Sequence, residues 1–136
     1  MSATGIAEQL FQPDASRVGR VWRVVCPLEA VIPGRGIAAM VGGTQVAVFR
    51  VEWCLTPFDA GSSEAVLAIE DLDPFSGAAV LSRGIVGDVD GEPVVASPVY
   101  KQRFSLHTGA CLDDPTVTVR TWDARIREGR IEVAVW

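Results

Sequence analysis

The 136-residue sequence contains few of the side chains that usually carry out chemistry in proteins. Its one histidine is His107, so a catalytic triad, a zinc site or an imidazole general base would depend on that residue. His107 stands at the end of a predicted strand, beside a predicted Thr108-Gly109 turn, where an exposed or capping histidine is the common case. Cys111 follows four residues later, and the turn between the two argues against a Cys/His nucleophile pair but leaves it open.

Disulfide bonds and membrane-spanning segments are not indicated either. The three cysteines, Cys26, Cys54 and Cys111, are odd in number and form no C-x-x-C pair, so we expect reduced thiols. No apolar run approaches the roughly 18 residues that cross a bilayer. Residues 1–20 contain four charged side chains and lack the apolar h-region of a signal peptide. We therefore expect a soluble, cytoplasmic protein with no membrane partner.

Positive charge and ligand-binding motifs are also scarce. Lys and Arg total 12 against 17 Asp and Glu, which gives a formal net charge of -5 and disfavours a nucleic-acid partner. Asp71 and Asp88 each begin a stretch like the start of an EF-hand loop, but both lack the glycine at the sixth position and the glutamate at the twelfth. Turn formation explains these aspartates better. No helix is predicted after Gly34-Arg35-Gly36, so a dinucleotide loop is rejected, and there is no P-loop.

What the sequence does contain is enough apolar residues for one folded domain. Hydrophobic residues make up 49% of the chain and charged residues 21%, which excludes global disorder. The length is that of one ordinary domain. Residues 1–20 are small, polar and aperiodic, and we expect a frayed tail there or one short helix around residues 7–11. The domain itself is predicted to span residues 21–136.

The pattern of this domain indicates short strands separated by turns. Strands are predicted over residues 21–25, 36–41, 45–51, 65–69, 92–97, 103–106, 116–120, 125–127 and 131–135. Apolar runs on both sides of Gly42-Gly43 predict a hairpin, because its turn needs positive φ. Asp90-Gly91 and Glu128-Gly129 mark further turns, and residues 57–63 form a loop by composition. Many short strands at close spacing predict an all-β sandwich or small barrel of antiparallel strands.

Two stretches of the domain resemble the cluster-binding loops of Rieske iron–sulfur domains. The first, residues 67–78, contains Asp73-Pro74-Phe75, and the second, residues 94–109, contains Ser97-Pro98-Val99-Tyr100. In Rieske domains each loop supplies one cysteine and one histidine to a [2Fe-2S] cluster. The resemblance places the two cysteine positions at Asp73 and Ser97, and the two histidine positions at Phe75 and Tyr100. It also implies that the two loops meet at one tip of the β fold.

None of the four residues at these positions suits the cluster. Phe75 has no donor atom, and the hydroxyls of Ser97 and Tyr100 are hard oxygen groups that iron–sulfide chemistry does not favour. One histidine cannot supply two imidazoles. We therefore expect folded loops without a cluster, with the rings of Phe75 and Tyr100 filling the space, because an empty cavity costs about 20–30 cal/mol per Å³.

A longer set of motifs is similar to the small subunit of assimilatory NAD(P)H-dependent nitrite reductases. The similarity extends from about Val21 to Val135, and its motifs are Cys26-Pro27-Leu28 and residues 73–78, 81–88, 92–98, 100–104 and 108–115. Two features depart from that family: the polar tail, and the stretch from Glu52 to Glu64, which is longer than the family's hairpin. Both departures bear on surface contacts and leave the fold unaffected.

The resemblance implies that the chain works as part of a complex in nitrate and nitrite assimilation. In that family a large subunit carries FAD, a [4Fe-4S] cluster and sirohaem, and it passes electrons from NAD(P)H to nitrite to make ammonium. The small subunit is Rieske-like without cluster ligands, so the resemblance implies no catalytic residue and no cofactor in this chain. The implied partner is the large subunit, which the tip would contact through Arg83, Lys101 and Arg103.

Two other functions stay open on the sequence alone. A free-standing binding or regulatory module without a redox role can reuse the same fold, because a fold does not determine a function. A neighbouring gene for a sirohaem reductase would favour the subunit instead. A true electron carrier would be a brown protein with iron and acid-labile sulfide, whereas we expect a colourless one.

Overall fold

The computed structural model describes residues 20–53 and 63–135. The predicted tail, apart from Arg20, lies outside this part of the chain, and so do the short helix expected around residues 7–11, Cys54 and most of the predicted loop at residues 57–63. The two described cysteines, Cys26 and Cys111, are free thiols.

The described residues form ten strands and two short 3₁₀ turns, which confirms the all-β prediction. The strands are β1 (Val21–Pro27), β2 (Arg35–Val41), β3 (Thr44–Trp53), β4 (Ser63–Glu70), β5 (Ile85–Val89), β6 (Glu92–Ala96), β7 (Arg103–Ser105), β8 (Thr121–Trp122), β9 (Ala124–Arg127) and β10 (Arg130–Val135). The 3₁₀ turns are Leu28–Ala30 and Leu81–Arg83.

These strands pair in three antiparallel sheets. The first sheet has the order β1-β10-β9, the second β2-β3-β4-β8 and the third β5-β6-β7. Three predicted turns have the required backbone: φ is 58° at Gly42 and 82° at Gly43, 52° at Asp90 and 89° at Gly91, and 54° at Glu128 and 75° at Gly129. Positive φ at both central residues is the type I′ geometry whose twist matches that of the flanking strands.

Strand β3 lies in the middle of the molecule, with a hydrophobic core on each face. Val46 and Val48 point into the first core, against Ile131 and Val133 of β10 in the first sheet. Ala47 and Phe49 point the other way, into a second core against the third sheet. A strand buried on both faces needs apolar residues at consecutive positions, and residues 46–49 are all 0% exposed.

The strand predicted at residues 116–120 is wrong. This segment makes one isolated bridge, between Thr118 and Ala110, and no ladder. Val117 and Val119 nevertheless pack against the second core. The alternation of Thr and Val therefore reflects an extended segment whose side chains point alternately into the core and into solvent. This period of two is the same whether or not the segment is hydrogen-bonded to another strand.

Other boundaries also differ from the predictions, and two strands, β5 and β8, were missed. Strand β1 continues to Pro27, two residues beyond the predicted stop, after a register shift between Val24 and Cys26. Pro27 is tolerated because β1 is an edge strand. On its outer side no neighbouring strand needs a hydrogen bond from the N–H that proline lacks. Strand β5 was not predicted, although it is the hairpin partner that the Asp90-Gly91 turn requires.

Candidate functional site

The two loops that resemble cluster-binding loops lie side by side, as predicted. The first tip loop, residues 71–80, leaves the end of β4, and the second tip loop, residues 97–102, joins β6 to β7. The hydroxyl of Ser97 donates a hydrogen bond of 2.6 Å to Oδ2 of Asp73 and so joins the two loops directly. Both residues are 0% exposed. The two positions implied for cysteines thus converge in one buried contact.

Asp73 is the centre of this contact. Its carboxylate also accepts the Phe75 N–H at 2.9 Å and the Ser76 hydroxyl at 3.0 Å. Burial raises the pKa of Asp73, but the hydrogen bonds from Ser97, the Phe75 N–H and Ser76 together outweigh burial and hold the pKa below its ordinary value. The carboxylate is therefore ionised at neutral pH and stabilised in the interior by fixed donors.

Ser97 forms the base of the second tip loop. Its N–H donates to the Gln102 carbonyl at 2.9 Å, and its own carbonyl accepts the Lys101 N–H at 3.0 Å. The Val99 N–H donates to the Ser97 hydroxyl at 3.2 Å. These bonds close a tight turn in which Lys101 has a φ of 71°.

Of the two rings that were expected to fill the space between the loops, Phe75 is partly buried, whereas the expectation is wrong for Tyr100. Phe75 is half-buried and packs against Phe104 of the second core, with 6.1 Å between ring centroids. Tyr100 is 60% exposed. Instead, the buried side chains of Asp73 and Ser97 meet between the loops.

The residues present at the tip do not fit a [2Fe-2S] cluster. Such a cluster needs two thiolates on one iron and two imidazoles on the other. The tip offers a carboxylate and a hydroxyl that bind each other, a phenyl ring and an exposed phenol. In the part of the chain that the structure describes, no group of three or more His, Cys, Asp or Glu side chains could hold a metal ion.

A second buried aspartate, Asp71, anchors the first tip loop to the rest of the fold. It accepts the side-chain amide of Gln45 at 2.6 Å and the Ser82 N–H at 2.7 Å. The sequence predicts only turn formation at Asp71. It does not reveal the long-range partners, because no pattern in the sequence relates Asp71 to Gln45 or Asp73 to Ser97.

The three basic residues predicted at the tip differ in their pairing. The Arg103 side chain makes two hydrogen bonds to Asp113, at 2.9 and 3.2 Å, and the Arg103 N–H donates a third at 2.8 Å. The side-chain hydrogen bond to Asp113 is the main cause that raises the pKa of Arg103, and the same bond lowers the pKa of Asp113. The Lys101 ammonium lies 3.4 Å from the Pro98 carbonyl. Within the described ranges, no carboxylate forms an ion pair with Lys101 or Arg83, and both are exposed.

His107 and Cys111, which the sequence left open as a nucleophile pair, lie in different surroundings. Cys111 is 3% exposed and belongs to the second core, next to Phe104. His107 is exposed on the turn that follows β7. A buried thiol in an apolar core is poorly placed to act on a substrate.

The amino-acid sequence is similar to a known family and to proteins of known name. The profile of the Rieske-like [2Fe-2S] domain family matches residues 21–134. A nitrite reductase (NADH) small subunit from Salmonella typhimurium is 41% identical over 112 residues, which are 82% of this chain and 95% of that protein. An NAD(P)H nitrite reductase large subunit from Klebsiella oxytoca is 37% identical over 122 residues, which are 90% of this chain and 12% of that protein.

Solved structures have the same fold. A crystal structure described as an NADH-dependent nitrite reductase small subunit from Mycobacterium tuberculosis matches with a TM-score of 0.73 and 49% identity, over 86% of this chain and 96% of that chain. The ferredoxin of carbazole 1,9a-dioxygenase from Nocardioides aromaticivorans matches with a TM-score of 0.65 and 25% identity, over 83% of this chain and 96% of that chain. The chain is a member of the Rieske-like domain family. Within that class it belongs to the small subunits of NADH nitrite reductase.

No helix among the described residues has the length and apolar character to span a membrane.

Proposed function

We propose that this chain is the accessory small subunit of a cytoplasmic NAD(P)H-dependent nitrite reductase, which reduces nitrite to ammonium in nitrate and nitrite assimilation. Its role is to dock on a large subunit that carries sirohaem, a [4Fe-4S] cluster and FAD. The chain contributes no catalytic residue and no [2Fe-2S] cluster of its own. The hydrogen bond between Ser97 and Asp73 carries this proposal, because it joins the two positions that the resemblance assigns to iron-binding thiolates, and neither side chain is a thiolate.

The choice of partner is supported by the similarity to the Klebsiella large subunit. In that protein a segment similar to this chain makes up 12% of the length and is joined covalently to the rest. Two units that contact each other can be separate chains in one protein and a single chain in another. The fusion in the Klebsiella protein is therefore expected if the two units are partners. Arg83, Lys101 and Arg103 are the proposed contact residues, with Arg103 already paired to Asp113.

The proposal is tested by co-expressing this chain with its large subunit and with full capacity for cluster assembly. We expect the two chains to copurify, and we expect nitrite-dependent oxidation of NAD(P)H to fall when this chain is deleted. Iron analysis of the isolated chain should give far less than one iron per chain.

Two results would contradict the proposal. Two irons and two acid-labile sulfides per isolated chain would make it an electron carrier. Unchanged activity together with no association would leave the free-standing regulatory module as the better function.

A further inference from the structure

Large apolar side chains are exposed on both tip loops. Leu72 is 42% exposed, Val99 is 43% exposed and Tyr100 is 60% exposed. Single exposed apolar residues are common on protein surfaces. Here two consecutive ones follow an exposed proline, Pro98, and the hydrogen bond between Asp73 and Ser97 brings Leu72 to the same end of the molecule.

The turn that presents Val99 and Tyr100 is held in one conformation. Its base, Ser97, is fully buried and makes hydrogen bonds to Asp73, Val99, Lys101 and Gln102. Lys101 has a φ of 71°, an unfavourable backbone region for a residue with a Cβ. Such strain persists only where the surroundings impose it, and it occurs often at sites that bind a partner. A fixed turn also loses little entropy when it binds.

Two exposed basic side chains have no acidic partner, although the chain as a whole is acidic. Its formal net charge is -5. Lys101 directly follows Tyr100, Arg83 is exposed as well, and neither pairs with a carboxylate in the described part of the structure. The surface that matches this tip is therefore an apolar pocket whose rim carries carboxylates.

We infer that Tyr100 and Val99, with Leu72 on the adjoining loop, form the apolar anchor that inserts into an acid-rimmed pocket of the nitrite reductase large subunit. This inference rests on the proposed function. It also names the residues that supply most of the energy of binding to the large subunit. A tyrosine suits an anchor because it offers a large contact area, a polar tip and few rotatable bonds. The basic residues then guide association, and the ring determines how long the complex lasts.

The test measures binding of the full chain to the large subunit by surface plasmon resonance. We expect Tyr100→Ala to raise Kd by about 30-fold or more, as for other central interface anchors, mainly through a faster koff. Tyr100→Phe keeps the ring and should stay within about threefold of wild type. Because Tyr100 is exposed, the thermal unfolding of both variants should match that of the wild-type chain.

Two further variants separate the apolar anchor from charge and from general hydrophobicity. Ile32→Ala removes an apolar side chain that is 63% exposed near the Arg35–Arg50 end of the second sheet, away from Gln45 and Asp71. Its Kd should stay within about twofold of wild type. Replacing Arg83 and Lys101 together by Gln should lower kon and flatten its salt dependence, with a smaller effect on koff than Tyr100→Ala.

The outcomes distinguish the two proposals. If the wild-type chain binds and Tyr100→Ala binds equally well, the anchor is wrong and the proposed function stands. If Ile32→Ala weakens binding as much as Tyr100→Ala, the tip is not the anchor either. If the wild-type chain does not bind the large subunit, the proposed function fails and this inference fails with it.

Discussion

At the scale of single residues, the tip is defined by a buried carboxylate and a buried hydroxyl that bind each other. Asp73 and Ser97 are both fully buried, and their hydrogen bond of 2.6 Å joins two loops that are 24 residues apart in the chain. A buried carboxylate is tolerated only when donors satisfy it, and Asp73 has donors from Ser97, Ser76 and the Phe75 backbone. The order of the tip therefore depends on a few polar contacts.

Removing the Ser97 hydroxyl should destabilise the protein. Ser97→Ala leaves the buried Asp73 carboxylate without its shortest hydrogen bond, so we expect the free energy of unfolding in urea to fall by about 1–3 kcal/mol. Ser76→Ala is the matched control, because it removes a longer bond to the same carboxylate from a half-buried position. An equal or larger loss in the Ser76 variant would show that the contact between the loops is not the important one.

Acid should weaken the fold through Asp73. Because its native pKa lies below the ordinary value of about 3.9, the unfolded chain binds more protons than the native chain between these two pKa values. Stability therefore rises with pH across that interval, is complete above it, and is lost as the pH falls through the native pKa. Urea unfolding from about pH 2 to 7 should show a shallower acid-dependent loss for Asp73→Asn than for wild type. If stability falls with decreasing pH equally in the Asp73→Asn variant and in the wild type, the acid-dependent loss comes from other carboxylates.

At the scale of elements, the third sheet and its loops depend on close backbone contacts as much as on side chains. The extended segment at residues 116–120 has no ladder, yet the Val119 N–H donates to the Gly109 carbonyl at 2.9 Å, and the Cys111 N–H donates to the Val117 carbonyl at 3.0 Å. These bonds hold the segment against the turn that follows β7. Gly109 allows the approach because it has no Cβ and a φ of 80°.

Substituting alanine at Gly109 should disrupt this contact. The added Cβ would lie 2.2 Å from the Val119 carbonyl oxygen, so steric clash adds to the cost of positive φ. We expect the free energy of unfolding to fall by about 2–4 kcal/mol. Gly43→Ala is the control: its φ is 82° with no atom within 4 Å of the new Cβ, and it should cost about 1 kcal/mol. Equal losses would mean that the contact with Val119 is relieved by movement of the backbone.

At the scale of the whole molecule, the two hydrophobic cores share β3 and β4. Residues of β3 alternate between the cores, so a change in one core is transmitted through a common strand to the other. The same arrangement fixes the first tip loop, which starts where β4 ends, against the second tip loop at the end of β6. The rigid scaffold thus presents the proposed docking surface in a fixed position.

Truncating Phe49 should destabilise both sides of the molecule together. Phe49 is 0% exposed in the second core, and we expect Phe49→Ala to lower the free energy of unfolding by about 3–5 kcal/mol. Native-state hydrogen exchange should show equal loss of protection in β6 and β10, since both sheets unfold with β3. Met40→Ala, at a side chain that is 68% exposed, should change stability by less than about 0.5 kcal/mol. Loss confined to the third sheet would mean that the two cores unfold independently.

Sequence patterns alone indicate the all-β class, the positions of most strands, the hairpin turns and the family. These features are local: apolar runs, glycines at turns and contiguous motifs such as Asp73-Pro74-Phe75 are complete within a few neighbouring residues. The folded chain was needed to show that Tyr100 is exposed, that residues 116–120 lack a ladder, and that Asp73 bonds to Ser97. Each of these depends on atoms brought together from distant parts of the chain, and burial and hydrogen bonding between such atoms leave no pattern along a single sequence.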